Sequence, residues 1–288
     1  MTGRKTSEKV LMEKIGLPFL VGTEYLKSGD LHYLRSGKGK PVILLHGLNM
    51  GWGQWYPNIA ALSEKFSVFA IDFPGAGKSS RLEPWSEDFP ETMIRSVEEF
   101  IISKKLTAPA LVGHSSGAWV ALQMAARDRV PLSKIIAVSP LGLSDRTPPK
   151  YKPLGWRWLA RILSKTVMPL DRKHMEIFAK DVFLNPDSLE REFVDYFAEA
   201  LLEGKHSHPF EMISRFCGFL RLRPEFVLKL KRNYGIPVMF AFGANDPIVP
   251  PPDNVPKAVV KIFLNSGHVS PTEESDLFNK TAIEFLEQ

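Results

Sequence analysis

A serine in a glycine-flanked pentapeptide is the residue best placed to do chemistry in this sequence. Residues 113–117 read Gly-His-Ser-Ser-Gly and lie between a short apolar run and a helical pattern. A strand–turn–helix of this kind strains the backbone of its central residue and leaves that side chain free at the sheet edge. The following helix directs N–H groups and its positive dipole end at the same point. We therefore predict that Ser115 is a nucleophile that needs a general base.

Histidine is the usual base for such a serine because its pKa lies close to neutral pH. Of the seven histidines, His268 lies between the last apolar run and a helix, which predicts a loop at the active edge of the sheet. Asp246 follows an earlier strand and would orient the imidazole. Asp253 is the reserve candidate, because prolines 250–252 carry it further from the strand.

Attack on a carbonyl also requires two backbone N–H groups that stabilise the oxyanion. We expect one from Ser116, which follows the nucleophile. The other is expected from Leu48, in the loop that follows the apolar run at 41–45. Gly47 permits close backbone approach in this loop, and we expect His46 chiefly to brace it.

The elements that would position these residues alternate along the chain. Apolar runs of strand type are separated by segments with helical spacing, which indicates an α/β protein with a mainly parallel sheet and helices on both faces. In such sheets ligands bind outside the carboxyl ends of the strands. The predicted strands are 31–35, 41–45, 66–71, 108–112, 135–138, 237–242 and 258–263, and the clearest helices are 55–66, 93–102, 118–127 and 275–286.

This alternation is interrupted between about Leu141 and Asn233, where only helical patterns occur. We interpret this span as a cap that lies over the carboxyl edge of the sheet. The predicted organisation is an N-terminal lead-in at 1–24, a core formed by 25–140 and 234–288, and a helical cap at 141–233.

Composition excludes several classes of protein. The chain has 288 residues, 44% of them apolar and 24% charged, and a net charge of +5, as in ordinary soluble domains. No long basic run with interleaved aromatic residues suggests nucleic-acid binding. The single cysteine, Cys217, cannot form an internal disulfide, and neither a leader nor a membrane span is recognisable. We expect a cytoplasmic protein, whose oligomeric state the sequence leaves open.

Five motifs together resemble the α/β-hydrolase superfamily. They are His46-Gly47, Asp-Phe-Pro-Gly-Ala-Gly-Lys-Ser at 72–79, Gly-His-Ser-Ser-Gly at 113–117, Gly-Ala-Asn-Asp at 243–246, and Gly267-His268. The similarity runs from about Leu31 to the C-terminus, apart from the cap. It implies the α/β-hydrolase fold with a helical cap inserted after the sixth strand, and it implies no metal or organic cofactor. The motif at 72–79 is expected to form a structural turn.

The resemblance also implies roles for individual residues. Ser115 would be the nucleophile, His268 the base and Asp246 the acid of a catalytic triad, with Leu48 and Ser116 as oxyanion donors. A serine at 115 argues against the haloalkane dehalogenase and epoxide hydrolase branches, which use aspartate there.

The cap is expected to determine specificity. Its most regular piece, Trp156–Val167, has an apolar stripe of Trp156, Leu159, Leu163 and Val167 beside basic residues at i, i+4 spacing. The pattern favours a lid helix whose apolar face covers the pocket; the alternative is a helix that lies on an anionic membrane. The candidate substrate contacts are His46, Asn49, Trp52, His114, Trp156, Leu159 and Phe210.

These features predict a serine hydrolase that cleaves carboxylic esters of small to medium apolar substrates through an acyl-enzyme. Two alternatives stay open. The same triad could hydrolyse a C–C bond of the meta-cleavage-product type, an amide or a thioester, or act as a perhydrolase. A non-catalytic ligand-binding protein could also use this scaffold.

Overall fold

The computed structural model describes most of the predicted core and part of the cap. The described residues are 6–48, 50–80, 89–142, 152–153, 156–166, 179–180, 182–203, 214, 235–252 and 259–288. Asn49, Val167, Phe210, Cys217, Asn233 and Asp253 lie outside them.

Eight strands of the described chain form one sheet in the order β1-β2-β4-β3-β5-β6-β7-β8. β1 and β2 are antiparallel to their neighbours, and the pairs from β4 to β8 are parallel. The bounds are β1 Leu20–Glu24, β2 Leu31–Ser36, β3 Pro41–Leu45, β4 Ser67–Ile71, β5 Ala110–His114, β6 Ile135–Val138, β7 Val238–Gly243 and β8 Val259–Phe263. The central strands are covered on both faces, which explains their continuous apolar runs.

Helices cover both faces of this sheet. One face packs against α3 and α4, and the other packs against α1, α2 and α8. The described helices are α1 Ser7–Ile15, α2 Tyr56–Ser63, α3 Phe89–Ser103, α4 Ser116–Arg127, α5 Arg157–Thr166, α6 Arg191–Glu203, α7 Ser270–Glu273 and α8 Ser275–Glu287. The predicted fold class, an α/β-hydrolase fold with a mainly parallel sheet, is confirmed by this arrangement.

The N-terminal segment is more than a lead-in. Residues Leu20–Glu24 form β1, which pairs with β2 at the edge of the sheet, and Ser7–Ile15 form α1. β1 was not predicted from the sequence, because an edge strand buries little of its surface and needs no regular apolar alternation. Leu20 and Val21 are indeed exposed.

Two helices of the cap region are described. α5 and α6 follow β6, in the span where the sequence shows helical patterns alone. α6 packs against α1 and carries the fully buried Phe193, whose ring stacks on Tyr56 at 5.4 Å between centroids. This part of the cap is therefore joined directly to the core.

Candidate active site

Ser115 occupies the sharp turn between β5 and α4. Its backbone has φ 52° and ψ −111°, a conformation that costs a non-glycine residue free energy and persists only where its surroundings enforce it. The Ser115 N–H donates to Val138 O at 2.9 Å, and its carbonyl accepts from Trp119 N at 3.0 Å. These two bonds attach the turn to β6 and to the first turn of α4.

The glycines on either side allow this turn to pack. A Cβ added to Gly113 would lie 2.6 Å from the backbone of Ala118 in α4. A Cβ added to Gly117 would lie 2.3 Å from Leu45 O at the end of β3. Both distances are shorter than atoms tolerate, so the pentapeptide needs glycine at both positions.

The structure brings Ser115, His268 and Asp246 together. His268 Nε2 lies 3.0 Å from Ser115 Oγ, and His268 Nδ1 lies 2.8 Å from Asp246 Oδ2. The carboxylate accepts at Nδ1, so Nδ1 carries the proton and Nε2 is free to accept the serine hydroxyl. All three side chains are buried. This geometry is that of a nucleophile, a base and an orienting acid.

The environment of Asp246 favours its charged form. Burial alone would raise the pKa of this carboxyl, but the His268 ring lowers it, as do the amides of Ile248 and Val249, and the net result is a pKa below the ordinary value. Both amides donate to Oδ1 at 2.8 Å. The carboxylate therefore stays ionised, with one oxygen committed to the backbone and the other to the imidazole.

The two predicted oxyanion donors lie at adjoining backbone segments. Ser116 begins α4, and the turn at Gly117 contacts the carbonyls of Leu45 and His46, which lead into Leu48. Within the described chain, no acceptor is bonded to the N–H of Leu48 or of Ser116. Both N–H groups are consequently available to a substrate oxygen.

His46 braces this loop, and its predicted contact with substrate stays a prediction. Its Nδ1 donates to Gly47 O at 2.6 Å, and its Nε2 accepts from Phe73 N at 3.0 Å. Burial lowers the pKa of His46 to about 4, which keeps the ring neutral and leaves both nitrogens engaged. A second brace, Gln54, escaped the sequence analysis: its Oε1 accepts from Gly47 N at 2.8 Å. Nothing in the local sequence pattern indicates that Gln54 contacts Gly47, seven residues earlier.

His114 lies against the base and is bonded to its backbone. Its ring is 1% exposed, its Nε2 donates to His268 O at 2.9 Å, and it packs edge-on against the His268 ring. Burial first, and then the charge that His268 can carry, lower the pKa of His114 to about 3. His114 therefore remains neutral, and its predicted role as a substrate contact stays a prediction.

The substrate contacts predicted for two tryptophans stay predictions, and the two rings lie in different surroundings. Trp52 is fully buried, packs on Tyr196 and donates its indole N–H to Glu8 at 3.0 Å, so it belongs to the core. Trp156 is 62% exposed and faces solvent. Leu159 is half-buried on α5. The predicted contacts of Asn49 and Phe210 fall outside the described residues.

Among the described helices, none combines the length and the apolar character that crossing a bilayer would need.

Comparisons with known proteins agree with this fold. A dihydrolipoyllysine-residue acetyltransferase component of the acetoin cleaving system from Cupriavidus necator is 26% identical over 255 residues, which are 86% of this chain and 64% of that protein. The chain spans about one third to two thirds of the length of the curated relatives it matches.

Two solved structures share the architecture at low identity. A putative lipase from Acinetobacter baumannii has a TM-score of 0.79 at 16% identity and covers 99% of this chain and 97% of its own. A meta-cleavage product hydrolase from Pseudomonas fluorescens IP01 has a TM-score of 0.76 at 18% identity and covers 93% and 98%.

A model of the alpha/beta hydrolase family matches residues 42–281, a span that includes the nucleophile turn and the loops of Asp246 and His268. The chain therefore belongs to the alpha/beta hydrolase family.

Proposed function

We propose that this protein is a serine hydrolase that cleaves carboxylic esters of small to medium apolar substrates. The observation that carries the proposal is the continuous path from Ser115 Oγ through both ring nitrogens of His268 to Asp246. The preference for an apolar acyl or alkyl group rests on the sequence of the cap, where residues 210–220 are rich in phenylalanine. The sequence has a single cysteine, so the fold needs no internal disulfide and no oxidising compartment. This supports a cytoplasmic location.

In the first half of the reaction, Ser115 Oγ attacks the ester carbonyl as its proton passes to His268 Nε2. The carbonyl oxygen becomes an oxyanion that the N–H groups of Leu48 and Ser116 stabilise. When the intermediate collapses, the C–O bond to the alcohol breaks and His268 returns the proton to the leaving oxygen. The product is an acyl-enzyme at Ser115 and a free alcohol.

In the second half, water takes the place of the alcohol. His268 Nε2 removes a proton from water as the water oxygen attacks the acyl carbon, and the same two N–H groups bind the oxyanion. Collapse breaks the bond to Ser115 Oγ, which regains a proton from His268. Asp246 remains ionised throughout and stabilises the imidazolium that forms in each half.

Replacement of the nucleophile tests the proposal. The Ser115→Ala variant should lose hydrolysis of p-nitrophenyl butyrate and labelling by a fluorophosphonate probe, while its melting temperature stays close to that of the wild type. The matched control is Ser96→Ala, which removes a buried serine hydroxyl from α3 and should keep both activities. Hydrolysis by Ser115→Ala at the wild-type rate would overturn the assignment.

The bond that is cleaved is tested separately. Wild-type protein is assayed against p-nitrophenyl esters of increasing acyl length, an anilide, a thioester and a vinylogous diketone, with normalisation to sites titrated by the probe. We expect short and medium esters to be the fastest substrates. If the diketone is the fastest substrate, the triad serves C–C hydrolysis instead. If the probe does not label the protein, a non-catalytic binding protein is favoured.

We also propose that the cap contacts an anionic lipid surface. Trp156 and Trp158 are each 62% exposed, and their rings stack at 6.4 Å with 8° between planes. Ile162 and Arg161 are exposed on the same helix. Indole rings beside basic side chains are the composition that binds the interface of an anionic bilayer.

Vesicle co-sedimentation tests this contact. Binding to phosphatidylglycerol vesicles should exceed binding to phosphatidylcholine vesicles and should weaken as salt screens the attraction. The double variant Trp156→Ala/Trp158→Ala should lose most of the binding. Tyr25→Ala removes another exposed aromatic ring, 81% accessible on the N-terminal segment, and should not. Equal losses in both variants, or no binding by wild-type protein, would refute the proposal.

A further inference from the structure

The loop that carries His268 is bonded directly to the cap. The His268 N–H donates to Val182 O at 2.9 Å. The carboxylate of Glu273 joins the same two segments, because Oε1 accepts from Leu184 N at 2.5 Å and Oε2 accepts from Gly267 N at 2.9 Å. Asn185 N also donates to Oε1, at 3.4 Å, so one half-buried carboxylate holds two amides of the cap and the amide that precedes the base.

Gly267 permits this approach. A Cβ at this position would lie 2.9 Å from Leu184 N and 3.0 Å from Val182 O. These distances are at or below the shortest that a side-chain carbon tolerates without movement of the neighbouring backbone. The cap segment and the base loop are thus in backbone-to-backbone contact, with room for glycine alone.

An apolar cluster continues the contact on to the other catalytic loops. Val182 and Phe183 of the cap pack in one buried group with Val269, beside His268, and with Met50, which follows the oxyanion loop. Ile248, two residues after Asp246, packs against the same group. The position of this cap segment is therefore linked to the oxyanion loop and to the loops that carry Asp246 and His268.

We propose that Glu273 is a positioning residue that couples the cap segment Val182–Asn185 to the general base His268, so that the base is aligned with Ser115 when that segment is docked. Glu273 does not touch the reacting atoms and acts through the backbone on either side of the loop. The inference rests on the proposed function, because it assigns the alignment of the same base. It assigns the cap a second task besides covering substrate.

The neighbouring glutamate provides a matched control. Glu274 accepts from Asn265 N and from Ser266 Oγ, at 2.9 and 2.8 Å, so it stabilises the same loop, and neither of these bonds involves the described part of the cap. Glu273→Gln keeps the volume but leaves one oxygen for three amide donors, so either Gly267 or the two cap amides lose their acceptor. Glu274→Gln makes the same chemical change one residue later. Any difference between the two variants reports the contact with the cap.

The experiment measures base alignment and cap docking separately. Alignment is measured as the second-order rate of fluorophosphonate labelling and as kcat per titrated site, so that misfolded molecules do not count. Docking is measured as hydrogen exchange in peptides that cover residues 182–185 and 267–268. We expect Glu273→Gln to slow labelling and kcat by roughly 10- to 100-fold, since a small misplacement of a catalytic group has effects of that size. Exchange in both peptides should rise, and Glu274→Gln should stay within about twofold.

A second variant guards against a failure of Glu273→Gln to fold. Gly267→Ala retains the carboxylate and pushes the two backbones apart, and it should slow labelling with a rise in exchange at 182–185. The proposal is overturned if the folded variants at 273 and 267 label within twofold of wild type, or if Glu273→Gln and Glu274→Gln are equally slow. Failure of the wild type to label would instead refute the proposed function, while the exchange data would still report whether Glu273 holds the cap.

Discussion

The positions of Ser115 and His268 are determined by backbone groups more than by the hydrogen bond between their side chains. The strained turn presents the serine, and the Nδ1 proton of His268 is directed by a carboxylate whose second oxygen is already bonded to two amides. Because these two amides need an acceptor, the side-chain oxygen of an isosteric asparagine at position 246 must face them.

Asp246→Asn should inactivate the protein through the tautomer of His268. The asparagine oxygen would accept from the amides of Ile248 and Val249, so its NH2 group would face Nδ1 and the imidazole proton would move to Nε2. Such a ring cannot accept the proton of Ser115, and we expect kcat/KM for p-nitrophenyl butyrate to fall roughly 10³- to 10⁴-fold.

The control for this substitution is Asp253→Asn, which alters the reserve acid from the sequence analysis and should retain most of the activity. If Asp253→Asn lost activity and Asp246→Asn kept it, Asp253 would be the acid of the triad. A pH profile of each variant, measured with a saturating ester, separates a loss of chemistry from a loss of substrate binding.

At the level of elements, α1 is attached to the core by a buried charge. Glu8 accepts hydrogen bonds from His32 Nε2 at 2.9 Å and from Trp52 Nε1 at 3.0 Å, and it pairs with Lys78. Burial alone would raise the pKa of Glu8, but these partners lower it from 4.5 to about 2. The helix that looked like a lead-in therefore carries a buried ionic anchor.

The pH dependence of stability should report this anchor. A carboxyl with a lowered pKa stabilises the fold above its unfolded pKa and loses that contribution as the pH falls through the folded value. Between pH 4.5 and about 2, wild-type protein should therefore lose about 3 kcal/mol of unfolding free energy that Glu8→Gln does not lose.

Urea unfolding at several pH values across this range measures the difference between the two proteins. Glu64→Gln is the control, because Glu64 is exposed at the end of α2 and should change the curve little. Parallel curves for wild type and Glu8→Gln would mean that the anchor contributes nothing.

At the level of the whole molecule, the described part of the cap is built into the core. α6 is bonded to α1 through Ser7 and Glu199, and Phe193 packs between Tyr56, Phe183 and Phe197. Contacts of this kind make separate unfolding of the cap and the core unfavourable.

Phe193→Ala should therefore destabilise the entire molecule. Removal of a fully buried aromatic ring costs about 3–5 kcal/mol. We expect one transition in which tryptophan fluorescence and probe labelling are lost together at a lower denaturant concentration. Leu277→Ala, at a half-exposed position of α8, should shift the midpoint little. Loss of labelling well before loss of fluorescence would show that the cap unfolds independently.

The sequence predicted the core of the fold and the three residues of the hydrogen-bonded path well, because strong local signals mark them. The apolar runs of β3 to β7 reflect strands covered on both faces, and strand ends determine where Ser115, Asp246 and His268 must lie. β1 was missed for the opposite reason, since an edge strand leaves Leu20 and Val21 in solvent.

Residue type alone did not predict which side chains would face a substrate. His46 and His114 have the chemistry of ligand contacts, yet both are buried and bonded to backbone carbonyls. Trp52 and Trp156 looked alike in sequence, but one is in the core and the other is exposed. The surroundings of His114 and Trp52 depend on His268 and Tyr196, which are far away in the chain.

The amino-acid sequence by itself thus determined the strand–turn–helix at Ser115, the order of strands and helices, and the positions of the residues that meet there. Each of these follows from local pattern and backbone requirements. Only the tertiary structure decided that α1 belongs to the core, that His114 is bonded to the backbone of His268, and that Glu273 lies between the cap and the base. Those facts arise from contacts between segments separated by many residues, and no local pattern encodes such distances.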